Sequence, residues 1–422
     1  MMNPRYKISQ ELFKEAEEII PGGAPQSRHP NTFLPGYFPL YFVKGKGSKL
    51  LDVDGHFYID WLLSYGPIVL GHANERVDNA VIERIKEGFC FNLNTEINNR
   101  LAKKIIDTIP CAEMVRFLKT GSCATSAAIR IARLATEKNK ILRCGFHGWH
   151  DWAIGGQGVP TGATEDIQAF TYNDYDSLEK LIKKYQGQIA AVIMMPVEIE
   201  PPKKGFLEEV RKLTAENEIV LIFDEVRSGF RLARGGAQEY YNVIPDMATF
   251  SKAIANGYAI SCVVGKKSVM EAANKSFISA TFFPSALEMV AAFETLSTLE
   301  ENNAVAHFFK IGNALQNGLR TIINEFDLSQ DVKVTGLPVM PYLEFKSESE
   351  ERKTRLKNRF YAEVLARGIF LHPNHHWFTC LSHTESDVNE TLNVCREAMK
   401  IAKDKINVED DIARIKIETK WW

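Results

Sequence analysis

Apolar and polar positions along the chain switch between helical spacing and strand-like runs, and the switches mark out its elements. Residues 9–20 are amphipathic behind Ser9, a candidate N-cap, and stop at Pro21-Gly22-Gly23. Tyr41-Phe42-Val43 reads as a short strand, and alternating residues 50–60 fold about Asp54-Gly55, a hairpin signal. Helical patterns follow over 74–86, 96–108 and 126–136. Then come strands at 140–143, 189–195, 219–223 and 258–264, with helices at 176–185, 207–216 and 285–299 between or after them. This order predicts an α/β domain with a mostly parallel sheet and right-handed crossovers.

Beyond residue 305 the pattern changes. Helices at 308–325, 348–366 and 385–403 mix with short strands at 333–334, 342–345 and 369–371, an α+β unit. It is expected to pack with the N-terminal segment, so that 1–60 and 306–422 form a small domain and 61–305 a large one.

With 422 residues, 45% hydrophobic and 25% charged, the chain has the composition of a soluble globular protein. A formal net charge of -2, with no basic run interleaved with aromatics, argues against nucleic acid. No stretch of 18 apolar residues and no signal-like N-terminus appears, which gives a cytoplasmic expectation without membrane contact. The seven cysteines are scattered and odd in number, as expected of buried thiols in a reducing compartment. Cys144, His147 and His150 hint at a metal cluster but lack a fourth partner, so no metal is expected.

The chemistry gathers around 219–231. An apolar run ending in Asp224 reads as a doubly buried strand that delivers a carboxylate to the sheet's carboxyl edge, where such sheets bind ligands. Lys252 follows in Phe250-Ser251-Lys252. A lysine and a carboxylate are what pyridoxal 5′-phosphate (PLP) requires, the first to hold it as a Schiff base and the second to keep its ring nitrogen protonated. Taken alone, an acid at a strand end is also a turn or cap residue, and a lone lysine is also a solvated charge. Gly121 and Ser122 open a helix and offer N–H groups and a hydroxyl to a phosphate, or serve as a plain cap. Phe146, between glycines at a strand end, can lie over a planar cofactor or belong to the core.

Together with Ile20-Pro21-Gly22-Gly23, residues 66–72, Glu113-Met114-Val115-Arg116-Phe117 and Gly235-Gly236-Ala237-Gln238, these stretches resemble the class III PLP-dependent aminotransferases, in the branch of glutamate-1-semialdehyde 2,1-aminomutase. The resemblance runs from about 13 to 398. It implies fold type I, a homodimer with active sites at the subunit interface, and PLP as cofactor. Carried over by position, Lys252 would be the Schiff-base lysine and proton carrier, and Asp224 the partner of the pyridinium. Val226 would lie under the ring and Phe146 above it with His147 beside it. Gly121 and Ser122 would hold the phosphate, reached by Thr281 from the neighbouring subunit.

Three departures from the aminomutase pattern bear on the reaction. Only nine residues, 149–157, separate Gly148 from Gly158, where the aminomutases carry a longer gating loop; a short lid favours release and two-substrate transamination. Phe146 stands in place of a tyrosine, and Cys123 in place of a glutamate. The segment His372-Pro373-Asn374-His375-His376-Trp377-Phe378 resembles enzymes of surface-carbohydrate pathways, and makes His376 and Trp377 candidates for a sugar-derived carbonyl acceptor. Arg28 and Tyr65 are further substrate candidates, Arg231 is structural, and Met195 replaces a frequent glutamate. The expectation is an aminotransferase taking nitrogen from an amino acid, glutamate first, to a carbonyl acceptor. The alternatives are the aminomutase itself and a non-catalytic PLP-binding protein.

Overall fold

The computed structural model describes residues 3–26, 32–347 and 349–415. The chain separates into two compact units, one holding the described residues up to Asn74 and from Ala306 onward, the other Glu75–Val305. Its strands, in chain order, are β1 (Phe42–Lys46), β2 (Lys49–Asp52), β3 (Phe57–Asp60), β4 (Met114–Leu118), β5 (Lys140–Cys144), β6 (Ile167–Ala169) and β7 (Ile189–Met194). There follow β8 (Val220–Asp224), β9 (Met247–Phe250), β10 (Ser261–Gly265), β11 (Val332–Thr335), β12 (Tyr342–Phe345) and β13 (Ile369–Phe370).

The larger unit is built on one sheet in the order β4-β10-β9-β8-β7-β5-β6. Strands β9, β8, β7, β5 and β6 run parallel, and β10 is antiparallel to both its neighbours. Every residue of β7, β8, β9 and β10 is buried, which is why these strands are continuous apolar runs without alternation. Helix Gly121–Thr136 lies across β7 to β10. Its buried residues include Ala124, Ala127, Ala128 and Ala132, small side chains that allow a close approach to the sheet, with Ile129 and Ile131 adding apolar bulk. Strands β4, β6 and β9 are not marked by the hydrophobic pattern. The first is half-buried, the second is three residues long, and the third runs straight into the Lys252 turn.

The smaller unit has a four-stranded sheet, β1-β2-β3-β13, and the hairpin β11-β12. Residues 61–74, expected in the large domain, lie here instead. Trp61 is fully buried in this unit's core, and its indole N–H donates to Thr391 Oγ1 at 2.9 Å. His72 and Gly47 exchange two backbone hydrogen bonds of 2.8 and 2.9 Å. The expected N-cap at Ser9 is also corrected. Helix Lys7–Ile19 begins earlier, and Ile8 N and Ser9 N both donate to the carboxylate of Asp54, at 2.7 and 3.0 Å, in the turn between β2 and β3. All seven cysteines are free, and among the described residues no helix is long and apolar enough to cross a membrane.

The helix cap gives a direct test of this packing. Asp54→Ala should destabilise the protein by about 1–2 kcal/mol in urea unfolding followed by circular dichroism, because two helix N–H groups lose their acceptor. Ser9→Ala should change the midpoint far less.

Candidate active site

The parallel strands bring their carboxyl ends to one edge, and the register decides which residues meet there. Asp224 ends β8 directly beside Thr249 of β9, and Cys144 of β5 pairs with Met194 of β7. Asp224 is only 4% exposed. Its Oδ1 accepts from Val226 N at 3.1 Å and from Thr249 Oγ1 at 3.2 Å, and its Oδ2 lies 2.8 Å from His147 Nδ1. The other ring nitrogen of His147, Nε2, is 3.0 Å from the carbonyl oxygen of Cys144, which can only accept. The ring is thus held between the Cys144 carbonyl and the Asp224 carboxylate. The pair fixes the orientation of a buried carboxylate at the carboxyl edge of the sheet.

The neighbouring acid has the opposite duty, because successive strand-end residues face opposite ways. Glu225 is fully buried and accepts from Ser228 Oγ at 2.5 Å, Ala237 N at 2.8 Å and Gln238 N at 2.9 Å. Desolvation raises its carboxyl above the usual range, and these hydrogen bonds pull it back. It braces the turn after β8 and the Gly236 corner. Arg231 is likewise fully buried, as its structural reading requires.

A cradle for an anion lies next to Asp224. Thr120 caps helix Gly121–Thr136 by accepting from Cys123 N, and the backbone N–H groups of Gly121 and Ser122 have no partner among the described residues. A Cβ on Gly121 would come within 3.1 and 3.2 Å of the two methyl carbons of Val226. Gly148, at φ 106°, lies so close to Ser122 that a Cβ would meet its Oγ at 2.2 Å, and Trp149 N donates to the same Oγ at 3.3 Å. Thr125 Oγ1 donates to His147 O at 2.7 Å, and Ser261 Oγ to Thr120 O at 2.7 Å. Cradle, His147 loop and β10 are thus one hydrogen-bonded body.

Lys252 follows β9 with φ of 46°, a left-handed conformation that a lysine rarely adopts. Strain of this kind persists where the surroundings over-determine it, and it concentrates at functional positions. Phe146 is 43% exposed at the end of β5. A buried carboxylate, a helix N-terminus with open N–H groups, a strained lysine and an exposed ring, all in one unit, fit PLP. Lys252 would hold its carbonyl carbon, Asp224 its ring nitrogen, and Gly121 and Ser122 its phosphate.

The remaining candidates are placed differently. Thr281 is exposed in the same unit. Tyr65, His376 and Trp377 belong to the smaller unit, and Arg28 lies outside the described residues. Tyr65 OH is 3.4 Å from His372 Nε2. Trp377 is fully buried, its indole N–H donating to His372 O at 3.0 Å, and His376 is 2% exposed. The stacking surface expected of Trp377 is therefore turned into that unit's core, because its indole finds an internal acceptor. Cys144, His147 and His150 make no metal site. His147 is committed as above and His150 Nδ1 is 2.7 Å from Ser126 Oγ, and among the described residues no group of three His, Cys, Asp or Glu is placed to hold an ion.

Sequence reasoning missed Thr249 and Thr125. The first had a signal, as the one polar residue in the buried run Met247–Phe250; the second had none. It also missed Glu198, which lies with Met195 against Gly145: a Cβ there would meet Glu198 Oε1 at 2.5 Å and Met195 Sδ at 2.9 Å. Gly148→Ala should displace the Ser122 hydroxyl and strain the loop, raising the dissociation constant for PLP about tenfold or more in fluorescence titration of the apoenzyme.

Comparisons with known proteins give the family. The family model described as aminotransferase class-III matches residues 35–397. A 3-aminobutyryl-CoA aminotransferase of Cloacimonas acidaminovorans is 42% identical over 404 residues, covering 94% of this chain and 97% of the relative. A glutamate-1-semialdehyde 2,1-aminomutase of Methanosphaera stadtmanae is 36% identical over 425 residues, covering 93% and 98%. Among solved structures, the PLP form of the FumI protein of Sphingopyxis sp. MTA144 superposes with a TM-score of 0.91 at 29% identity, covering 97% of this chain and 99% of that one. The chain belongs to the class-III aminotransferase family, enzymes that work with PLP.

Proposed function

We propose that this enzyme transfers an amino group between an amino acid, with glutamate as donor, and the carbonyl of a β-keto acyl thioester. The observation that carries the transfer reaction is the left-handed Lys252 set in the same rigid edge as the buried Asp224. When bound, PLP supplies an electron-withdrawing ring that makes the substrate's Cα–H acidic. The chain's own residues do the rest. The Lys252 amine would hold the cofactor's carbonyl carbon and would serve as the base for the proton on the substrate carbon. Asp224, oriented by His147 and Thr249, keeps the ring nitrogen protonated. Val226 and Phe146 would confine the ring, and Gly121 and Ser122 would hold the phosphate.

Two acceptor classes compete. The histidine-tryptophan segment pointed to a sugar-derived carbonyl, but the burial of His376 and Trp377 withdraws the surface that argument needed. The thioester is supported by the relative named 3-aminobutyryl-CoA aminotransferase, at 42% identity. The aminomutase reading is supported by relatives at 36% identity and is weakened by the nine-residue lid.

We further propose a homodimer in a reducing cytoplasm. Its support is the exposed apolar surface of the larger unit, where Phe282 is 62% and Leu93 73% exposed, on segments tied together by Ala286 N donating to Phe89 O. The unbridged cysteines suit the compartment. Light scattering should give twice the chain mass of 47.7 kDa.

Titration with glutamate should bleach the visible cofactor band and release one equivalent of 2-oxoglutarate, after which acetoacetyl-CoA should restore the band. Turnover of glutamate 1-semialdehyde without any keto acid, with no response to glutamate, would transfer the assignment to the aminomutase. Lys252→Ala should lower turnover by about 10²–10⁴-fold or more, and PLP should then be lost on gel filtration.

A further inference from the structure

Hydroxyls of helix Gly121–Thr136 grip the loop that carries His147. Ser122, Thr125 and Ser126 stand at i, i+3 and i+4, on one face of the helix. The first two hold backbone: Ser122 Oγ accepts from Trp149 N at 3.3 Å, and Thr125 Oγ1 donates to His147 O at 2.7 Å. Ser126 holds side chains instead. Its Oγ accepts from the indole N–H of Trp152 at 2.7 Å and lies 2.7 Å from His150 Nδ1. A serine inside a helix often turns its hydroxyl back to the helix's own carbonyls, whereas this one reaches out to two rings of the loop.

What the Ser126 bond fixes is the position of an indole. The Trp152 ring runs nearly parallel to the His147 ring, with 9° between the planes and 6.2 Å between centroids, an offset stack. His147 is 1% exposed and Trp152 only partly buried, so the indole forms an outer layer beside the imidazole. His147 in turn lies 2.8 Å from Asp224 Oδ2. A hydrogen bond to a buried carboxylate is stronger where water is kept out. The loop's backbone is already tied to the helix by Ser122 and Thr125, so anchoring the indole is a separate duty, and it falls to Ser126.

We propose that Ser126 and Trp152 are positioning residues of this site. The hydroxyl locks the indole against His147, and the indole keeps water from the His147–Asp224 pair, so that Asp224 has a firmly held partner when it meets the ring nitrogen of PLP. The inference rests on the PLP site proposed above and adds the layer behind it. Both residues act through His147.

The test reads the pair directly, in the full chain without cofactor. Ser126→Ala removes the acceptor, and Trp152→Phe keeps a ring but removes the donor, so both break the same bond. In each variant the ring N–H signals of His147, assigned in proton NMR spectra by their loss in His147→Gln, should exchange with solvent about tenfold faster. The dissociation constant for PLP in equilibrium dialysis should rise by about three- to tenfold. The double variant should do no more than either single one, because one bond is broken once. Ser126→Thr, which keeps a hydroxyl, should recover most of the parent behaviour. Faster exchange in a protein that transfers no amino group would uphold the positioning role and sink the reaction. Unchanged exchange and an unchanged Kd for PLP in an enzyme that still transaminates, even with a lower urea midpoint, would mean that the bond only staples the loop. A double variant showing the sum of the two single effects would mean that Ser126 and Trp152 act separately. Either of these last two results overturns the proposal.

Discussion

A carboxylate buried at the end of a buried strand is the constraint on which the rest of the larger unit depends. Asp224 cannot be left without donors at 4% exposure, and the fold meets that requirement from three directions: its own turn through Val226 N, the next strand through Thr249, and the β5 loop through His147. His147 is itself tied down, its ring by Cys144 O and its carbonyl by Thr125 Oγ1. Satisfying one buried charge thus brings β5, β8, β9 and helix Gly121–Thr136 into a single arrangement. The proposed PLP site is built on that arrangement.

The same edge shows how two adjacent acids divide labour. Asp224 is held by Thr249 and His147 at the sheet's carboxyl edge, whereas Glu225 accepts three hydrogen bonds and braces the following turn. Rigidity behind the site is therefore bought with a second buried carboxyl, whose burial pushes it toward the neutral form. Lys252 adds strain to this rigid frame. Its left-handed backbone is tolerable because the strand before it is wholly buried and the residues after it pack into the core.

What was hard to read locally has a common cause. Strand β9 carries no turn signal before Lys252, β6 is short, and β4 is only half-buried, so each owes its existence to a sheet partner rather than to its own pattern. Trp377 shows the same limit for a side chain. An aromatic among histidines suggests a stacking surface, and only the fold reveals that its N–H is satisfied inward by His372 O. Residues 61–74 moved to the smaller unit because Trp61 and His72 find their partners there.

The chain's own order determined the α/β class, the buried strand ending in Asp224, the helix beginning at Gly121 and the lysine that follows, because periodicity and local capping act over a few residues. It carried the family as well, through motifs spread along nearly its whole length. Only the tertiary structure decided which hydroxyl reaches Asp224, which carboxylate caps the first helix, and that Glu198 lies against Gly145. Those choices depend on strand register and on contacts between residues such as Asp54 and Ile8 that are far apart in the chain. A hydrogen bond of that kind has no signature in local spacing, since both partners are ordinary polar groups until the fold brings them together.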